Sequence, residues 1–213
     1  MQQLFLTINK SNLSGLILCG GAARRLGGED KGLMKARGEP NKAFQNKPLI
    51  EHQIAFLRPQ VSAISISANR NLPIYQSYGY PVNQDATGVQ FDGPLQGILK
   101  GLSECQTDWL YVQPIDTPNL PTDTIEQMIK EVELSHKQAF YLVTNERAHY
   151  LNLLLHVSCL KSLENFVNRG EKRVKTYLEE IKAQTINLGW NENIFRNLNE
   201  PEDYQLSSKS IPD

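Results

Sequence analysis

The sequence has few of the features that mark a disulfide-bonded, zinc-binding or secreted protein. It contains three cysteines, Cys19, Cys105 and Cys159, and no two of them form a Cys-x-x-Cys pair. An odd number of widely spaced cysteines indicates neither a disulfide framework nor a zinc knuckle. We therefore expect a reducing compartment and, specifically, a cytoplasmic protein.

Long apolar segments are also lacking. A short apolar patch at residues 4–6 has no basic segment before it and is too short for the core of a signal peptide. No apolar run in the sequence is long enough to span a bilayer. We interpret residues 1–11 as a flexible leader and expect no membrane association.

Neither sign of charge predominates. The chain has 22 Lys and Arg against 23 Asp and Glu, and 40% of its residues are hydrophobic, which is ordinary for a globular protein. Because nucleic acids and membranes usually require a basic excess, this balance argues against both as partners. The length suits one domain, which we expect at residues 12–206, followed by a short tail at residues 207–213.

The most informative stretch is an apolar strand followed by a basic, glycine-rich loop. Residues 13–19 form a compact apolar run, which is typical of a parallel strand buried on both faces. In the loop at residues 20–32, glycines keep side chains away, so that backbone N–H groups can approach an oxyanion. Arg24, Arg25 and Lys31 supply neutralising charge. The loop therefore predicts an anion site, and phosphate is the obvious candidate.

Strands and helices alternate along most of the remaining chain. Strands are predicted at 63–68, 81–85, 109–112, 139–143, 150–157 and 185–188, and helices at 48–59, 74–78, 92–102, 125–132, 160–167 and 174–181. Thr122 is the expected cap of the fourth helix, and 139–143 and 150–157 are expected to pair antiparallel. This order predicts a three-layer α/β sandwich with a mostly parallel, Rossmann-like sheet and a small antiparallel addition. Ligands of such sheets bind beyond the carboxyl ends of the strands.

The loop differs from the two commonest phosphate motifs. Gly20-Gly21-Ala22 does not fit the dinucleotide fingerprint, and Gly28-Glu29-Asp30-Lys31-Gly32 does not fit the Walker loop. It resembles instead the molybdenum cofactor guanylyltransferase family, whose loop runs Leu-x-Gly-Gly-x-x-x-Arg-Met/Leu-Gly-Gly-x-Asp-Lys-Gly. The matching residues are Leu18, Gly20, Gly21, Arg25, Leu26, Gly27, Gly28, Asp30, Lys31 and Gly32.

The resemblance continues in the family's order along nearly the whole chain. The further matching segments are 68–70, Asp85, 93–97, 116–118, 170–174 and 197–202. The chain also departs from the family pattern at several positions. These are Cys19 in place of a small residue, Ser67 where relatives often have an Asn near the guanine, an insertion at 38–46, Tyr150 in place of a proline, and Lys172 in place of an Arg. The last change loses a bidentate fork.

This resemblance implies a nucleotidyltransferase that moves GMP from Mg²⁺-GTP to molybdopterin or its molybdenum-loaded form, with release of pyrophosphate. The implied catalytic residues are Arg25, Lys31 and Asp116, and Asp116 is also the implied Mg²⁺ ligand. The implied nucleotide-binding residues are Leu18, Cys19, Gly20, Gly21, Lys31, Ser67, Asn69, Asp85, Gly93 and Asp116. The implied acceptor-binding residues are His149, Lys172, Arg173, Asn197 and Asn199.

Some of these residues also have an ordinary structural interpretation. Asp116 lies between two prolines, where an Asx turn is common. Asn199 could equally cap a helix that contains residues 201–202. Lys172 and Arg173 could begin a solvated helix.

Two other functions are compatible with the same residues. One is a related nucleotidyltransferase that uses CTP or a sugar phosphate, which the loop ending at residues 28–32 disfavours. The other is a non-catalytic protein that binds a nucleotide or the cofactor. The joint presence of Arg25, Lys31 and Asp116 disfavours it, because a carrier has no leaving pyrophosphate to neutralise. Proteins of cofactor synthesis and enzymes that accept the cofactor are the expected protein partners.

Overall fold

The computed structural model describes residues 7–19, 29–36, 46–85, 93–133, 135–198 and 204–205. In chain order its strands and α-helices are β1 Leu13–Leu18, β2 Lys35–Ala36, α1 Leu49–Leu57, β3 Ala63–Ser67, α2 Leu72–Gln76, β4 Val82–Asn83, α3 Pro94–Ser103, β5 Trp109–Pro114, α4 Thr124–Val132, β6 Ala139–Val143, β7 Ala148–His156, α5 Leu160–Asn168, α6 Val174–Glu180, β8 Gln184–Asn187 and β9 Tyr204–Gln205. Short 3-10 helices occupy Lys10–Asn12, Lys31–Leu33, Val157–Cys159 and Glu192–Phe195.

Seven of these strands form one sheet in the order β4-β3-β1-β5-β7-β6-β8. Its neighbouring strands are parallel except where β7 runs antiparallel to both β5 and β6. Strands β2 and β9 make a separate antiparallel pair. The predicted mostly parallel sheet, and the antiparallel pairing of β6 with β7, are confirmed.

An apolar core lies on each face of the sheet. Strand β1 sends Leu13 and Ile17 into one core, which α1 and α4 cover, and Leu16 and Leu18 into the other, which α3, α5 and α6 cover. A strand that is buried on both faces has no polar face to alternate with. This is why residues 13–18 are mostly apolar, with Ser14 as the polar exception, and it gives the three layers that the sequence predicted.

The predicted cap of the fourth helix is wrong. Helix α4 follows Asp123, and no side chain caps its first turn. The hydroxyl of Thr124 instead donates to the Pro121 carbonyl at 2.6 Å. The Pro-Thr-Asp segment thus makes a local turn that delays the helix, so Thr122 lies outside it.

The described part of the predicted leader packs against the domain. Ile8 is buried in the first core, and Asn9 caps the 3-10 helix Lys10–Asn12. The division into leader, domain and tail otherwise stays a prediction, because residues 1–6 and 206–213 lie outside the described residues. Among the residues that the structure describes, no helix has the length and apolarity needed to cross a membrane.

Candidate functional site

The carboxyl ends of four neighbouring strands meet at one edge of the sheet. Backbone hydrogen bonds join the residues that follow them: the Cys19 N–H donates to the Ser67 carbonyl at 2.9 Å, and the Ile115 N–H to the Leu18 carbonyl at 3.2 Å. A third bond links Ala68 to the Asn83 carbonyl at 3.0 Å. Loops that leave this edge therefore begin side by side, which is the usual ligand position in such sheets.

Leu18 and Cys19, two of the implied nucleotide-binding residues, are buried in the two cores. Their side chains therefore point away from a ligand at the edge. Burial raises the pKa of the Cys19 thiol, with a further contribution from Asp30, so the thiol stays protonated and unreactive.

The structure brings Lys31 and Asp116 together. Lys31 lies near the end of the loop after β1, and Asp116 follows β5. The Lys31 Nζ atom lies 3.4 Å from the Asp116 Oδ2 atom, and both side chains are about one-fifth exposed, at 19% and 22%. A cation and a carboxylate from two different loops thus face each other where the strands end.

The turn that carries Asp116 is fixed by buried hydrogen bonds. The side-chain amide of Gln113 donates to the carbonyl and the hydroxyl of Thr117, each at 3.2 Å. Its oxygen accepts from the Tyr111 hydroxyl at 3.0 Å and from the Asn152 amide at 3.1 Å. Gln113 is fully buried. These bonds give the Asp116 turn a defined geometry rather than that of a solvated surface loop.

Beside Lys31, the carboxylate of Asp30 is buried and accepts three hydrogen bonds. They come from the backbone of Gly32 and from the side chains of Asn71 and Tyr75. The guanidinium Nε of Arg70 lies 3.7 Å from the same carboxylate. Sequence reasoning did not assign Asp30 a role, although its place directly before Lys31 in the matched loop was an available signal.

Asn69 and Asp85 pair with each other at the ends of β3 and β4. The Asn69 amide donates to the Asp85 carboxylate at 2.6 Å, and the Asp85 N–H donates back to the Asn69 side chain at 2.9 Å. In the described part of the chain, the other Asp85 oxygen and the Asn83 amide nitrogen are buried without a hydrogen-bond partner. Buried donors and acceptors without partners are rare in folded proteins, and they are the groups that a polar ligand can satisfy.

Ser67 lies against helix α3. A Cβ atom placed on Gly97 would lie 2.4 Å from the Ser67 hydroxyl, so the helix approaches β3 closely. Gly93, just before α3, has a φ of 88°, and a Cβ there would lie 3.6 Å from the Lys172 carbonyl. The structure therefore brings the implied nucleotide residues Ser67 and Gly93 to the same side as the implied acceptor residue Lys172.

His149 reaches the same edge because β7 runs antiparallel and begins where β5 ends. Its ring stacks on Phe195 with centroids 3.6 Å apart, and its Nε2 atom lies 3.2 Å from the Glu192 carboxylate. Burial lowers the pKa of His149 in spite of that carboxylate. For Glu192, burial opposes ionisation, but the hydrogen bond from Thr144 and the charges of His149 and Arg147 outweigh it, and the pKa falls.

Glu192 and Phe195 belong to a 3-10 helix that sequence reasoning did not predict. Because the partners of Glu192 lie far from it in the chain, no local pattern marked it.

The other implied acceptor residues are less tightly gathered. Lys172 and Arg173 are exposed before α6, and Asn197 is exposed beside Leu198, whose N–H donates to the Asp116 carbonyl at 2.9 Å. This last bond brings the C-terminal segment to the Asp116 turn. The implied residues Gly20, Gly21, Arg25 and Asn199 lie outside the described residues, as do positions 38–45 of the predicted insertion.

The residues present fit a metal ion that takes most of its ligands from the substrate and from water rather than from the protein. Among the described residues, no cluster of three or more His, Cys, Asp or Glu could hold an ion by itself. Mg²⁺ typically takes one or two carboxylates and completes its shell with substrate phosphates and water. A single strand-end carboxylate such as Asp116 suits that ion better than it suits zinc.

The family model and the similar proteins found for this chain agree with each other. Residues 15–185 match the family described as MobA-like NTP transferase domain. The chain is 38% identical over 198 residues to the molybdenum cofactor guanylyltransferase of Yersinia pestis (strain Pestoides F), which covers 92% of this chain and 94% of the relative. The same figures hold for the protein of that name from Yersinia pseudotuberculosis serotype O:1b.

Solved structures share the fold. The molybdopterin-guanine dinucleotide biosynthesis protein A from Archaeoglobus fulgidus superposes with a TM-score of 0.70 at 21% identity, covering 89% of this chain and 94% of that one. A CMP:2-keto-3-deoxy-manno-octonic acid synthetase complexed with CTP gives 0.63 at 12% identity, covering 90% and 94%. At these identities the likeness concerns the fold alone, and it confirms the predicted α/β architecture.

Proposed function

The chain belongs to the family of MobA-like NTP transferase domains, and on that premise we propose that it transfers GMP from Mg²⁺-GTP to molybdopterin or its molybdenum-loaded form. The products are the guanine dinucleotide cofactor and pyrophosphate. The observation that carries this proposal is the 3.4 Å approach of Lys31 to Asp116 at the end of the central strands.

The reaction joins two anions. An oxygen of the acceptor phosphate attacks the α-phosphorus of GTP, and the bond from that phosphorus to the pyrophosphate oxygen breaks. The pyrophosphate leaves with extra negative charge, which Lys31 is placed to neutralise together with Arg25. Asp116 is the residue that would hold Mg²⁺, and the ion would supply further charge neutralisation on the phosphates. The hydrogen-bonded turn would hold Asp116 in place for the in-line attack on which the rate depends.

Base recognition is assigned to the pair of Asn69 and Asp85. The unpartnered carboxylate oxygen of Asp85 is an acceptor for base N–H groups, which guanine offers at two positions of its Watson–Crick edge. Ser67 and Gly93 would lie along the nucleoside, and the close approach of α3 to β3 at Gly97 supports this because it brings the start of α3 to the end of β3.

The acceptor is assigned to the side of the edge where β7 begins. His149 stacks on Phe195 there, and Lys172, Arg173, Asn197 and Asn199 are the remaining candidates. Lys172 and Arg173 would supply positive charge to the acceptor phosphate. Proteins that make the cofactor or receive it are the partners that follow from this role. The free thiols of the three cysteines support a reducing compartment, and we assign the protein to the cytoplasm.

The direct test is to incubate the purified protein with GTP, Mg²⁺ and molybdopterin and to follow the products by mass spectrometry. We expect the guanine dinucleotide and an equal amount of pyrophosphate, and no product when Mg²⁺ is chelated. Binding of GTP without either product would favour a non-catalytic nucleotide-binding protein.

Nucleotide preference is tested by thermal unfolding with GTP or CTP at equal concentrations. A ligand that binds only the folded state at about 100 times its Kd stabilises it by about 2.7 kcal/mol. We expect Mg²⁺-GTP to raise the Tm more than Mg²⁺-CTP. Stronger protection by CTP would replace the guanylyl assignment with that of a related cytidylyltransferase.

A further inference from the structure

The buried carboxylate of Asp30 connects the loop after β1 to helix α2. Its Oδ1 atom accepts from the Tyr75 hydroxyl at 2.6 Å, and its Oδ2 atom accepts from the Asn71 amide at 2.9 Å. Arg70 holds the neighbouring residue as well, because its guanidinium donates to the Glu29 carbonyl at 2.8 Å. A buried carboxylate requires such partners, since an unpaired one would be strongly unfavourable.

Asp30 also shapes the turn that contains Lys31. Its Oδ1 atom accepts from the Gly32 N–H at 3.1 Å, and its carbonyl accepts from the Leu33 N–H at 3.0 Å. Both bonds join the cap residue Asp30 to the 3-10 helix Lys31–Leu33. The backbone direction of Lys31 is therefore set by the residue before it.

Tyr75 is the buried anchor of this arrangement. It is fully buried on α2, and burial raises the pKa of its hydroxyl, with further contributions from Cys19 and Asp30, so the group stays a donor. The hydroxyl lies so close to Gly32 that a Cβ atom there would be 2.2 Å away. Tyr75, Asp30 and Gly32 therefore fix one another's positions.

We propose that Asp30 is a positioning residue for Lys31, and that Tyr75 holds Asp30 in the orientation that directs the Lys31 ammonium to the Asp116 carboxylate. Asp30 itself touches no substrate, since its oxygens are occupied inside the protein. The catalytic part of this inference rests on the proposed function, because it takes Lys31 to act on the phosphates of the nucleotide. The positional part does not depend on it.

The positional part is tested by acetylation of the intact protein with limiting acetic anhydride, read by mass spectrometry at each lysine. In the wild type, the Lys31 side chain is 19% exposed and its Nζ atom lies 3.4 Å from the Asp116 carboxylate. We expect Asp30→Asn and Tyr75→Phe to raise the labelling rate of Lys31 by about threefold or more, because a released ammonium is more exposed. Lys161, whose side chain is 78% exposed, serves as the internal reference in every sample.

The matched control is Tyr177→Phe. Tyr177 is also a buried tyrosine, and its hydroxyl bonds with Ser162 and the Cys159 carbonyl, away from Lys31. It should leave Lys31 labelling at the wild-type rate. Unchanged Lys31 labelling in folded Asp30→Asn and Tyr75→Phe proteins would overturn the proposal, whatever the activity of the wild type.

The catalytic part is tested by steady-state guanylyl transfer. We expect Tyr75→Phe to lower kcat by about tenfold, with a smaller change in the KM for GTP, because a misplaced cation stabilises the transition state less. Far-UV circular dichroism confirms that the variants are folded. Faster labelling of Lys31 with an unchanged kcat would overturn the catalytic role of the positioning. An inactive wild type would contradict the proposed function instead, and the labelling result would still decide the positional part.

Discussion

At Gly32 the loop after β1 comes close to helix α2. A Cβ atom would lie 2.2 Å from the Tyr75 hydroxyl, and the nearest ring carbons would remain at 3.2 and 3.3 Å. Real Cβ atoms do not come so near to another heavy atom, so the tyrosine or the loop would have to move. Close packing against Tyr75 therefore explains why the matched Asp-Lys-Gly ending has a glycine at position 32 in this fold.

Gly32→Ala is therefore expected to destabilise the protein by about 1–3 kcal/mol, the usual range for an overpacked site. Urea unfolding measures this change. The same substitution made in a Tyr75→Phe protein should cost less, because the closest atom is gone. An equal cost in both backgrounds would mean that the hydroxyl is not the source of the strain.

His149 gives the stability of the protein a defined pH dependence. Its pKa lies below the ordinary value of 6.5, so between that folded value and 6.5 the unfolded chain binds more protons than the folded one. The contribution of His149 to stability is fully present above about pH 6.5, and it is lost as the pH falls through the pKa of the folded state. Glu192 and Arg147 are the charged groups around it.

We expect His149→Gln to reduce the loss of unfolding free energy between pH 7 and pH 5, measured by urea unfolding at each pH. His156, whose pKa burial also lowers, contributes to the same window, so His156→Gln should remove a separate part of the slope. If the unfolding free energy of His149→Gln falls with pH as steeply as that of the wild type, His149 is not a source of this pH dependence.

The positions of some site residues could be predicted from the sequence, and those of others could not. Lys31 and Asp116 belong to motifs in two strand-end loops, and the expected alternation of strands and helices brings such loops to one edge. The partners of Asp30 and Glu192 could not be predicted in this way. Tyr75 is 45 residues from Asp30, and Thr144 is 48 residues from Glu192, so neither contact leaves a local pattern.

At the scale of the elements, the turn after β5 is held by one buried side chain. Gln113 connects Tyr111, Thr117 and Asn152 inside the protein. Replacing it by leucine keeps much of its volume but removes all four of its buried hydrogen bonds. A buried polar group that is left without a partner costs about 1–3 kcal/mol.

Gln113→Leu is accordingly expected to lower the free energy of unfolding by about 2 kcal/mol or more and to slow transfer, because the turn that carries Asp116 loosens. Gln76→Leu, at an exposed position of α2, is the control and should change neither quantity much. Wild-type activity and stability in the Gln113 variant would show that the turn needs no such support.

Apolar periodicity was sufficient to place most helices and strands, because each buries one side against the sheet or lies within it. Element boundaries were less predictable. The hydroxyl of Thr124 bonds to Pro121, and this local turn starts α4 after the expected cap. The pair of β2 and β9 consists of two residues each, which is too short for a periodic signal.

At the scale of the whole molecule, strand order could not be read from the sequence. Strand β7 is inserted antiparallel between β5 and β6, so its first residues, rather than its last, lie at the ligand edge. This reversal carries His149 to the side of the molecule where Asp116 and Lys31 meet. In the proposed function, the parallel strands carry the nucleotide side of the candidate site, and the inserted strand carries the acceptor side.

Lys31 and Asp116 are expected to act together on one reacting group. A double-mutant cycle of guanylyl transfer rates with Lys31→Ala, Asp116→Ala and the double variant measures their coupling. Each single change should slow turnover by more than about tenfold. The double variant should be little slower than the slower single variant, because residues that act as a unit are not additive. Wild-type rates in either single variant, or effects that simply multiply, would contradict the account.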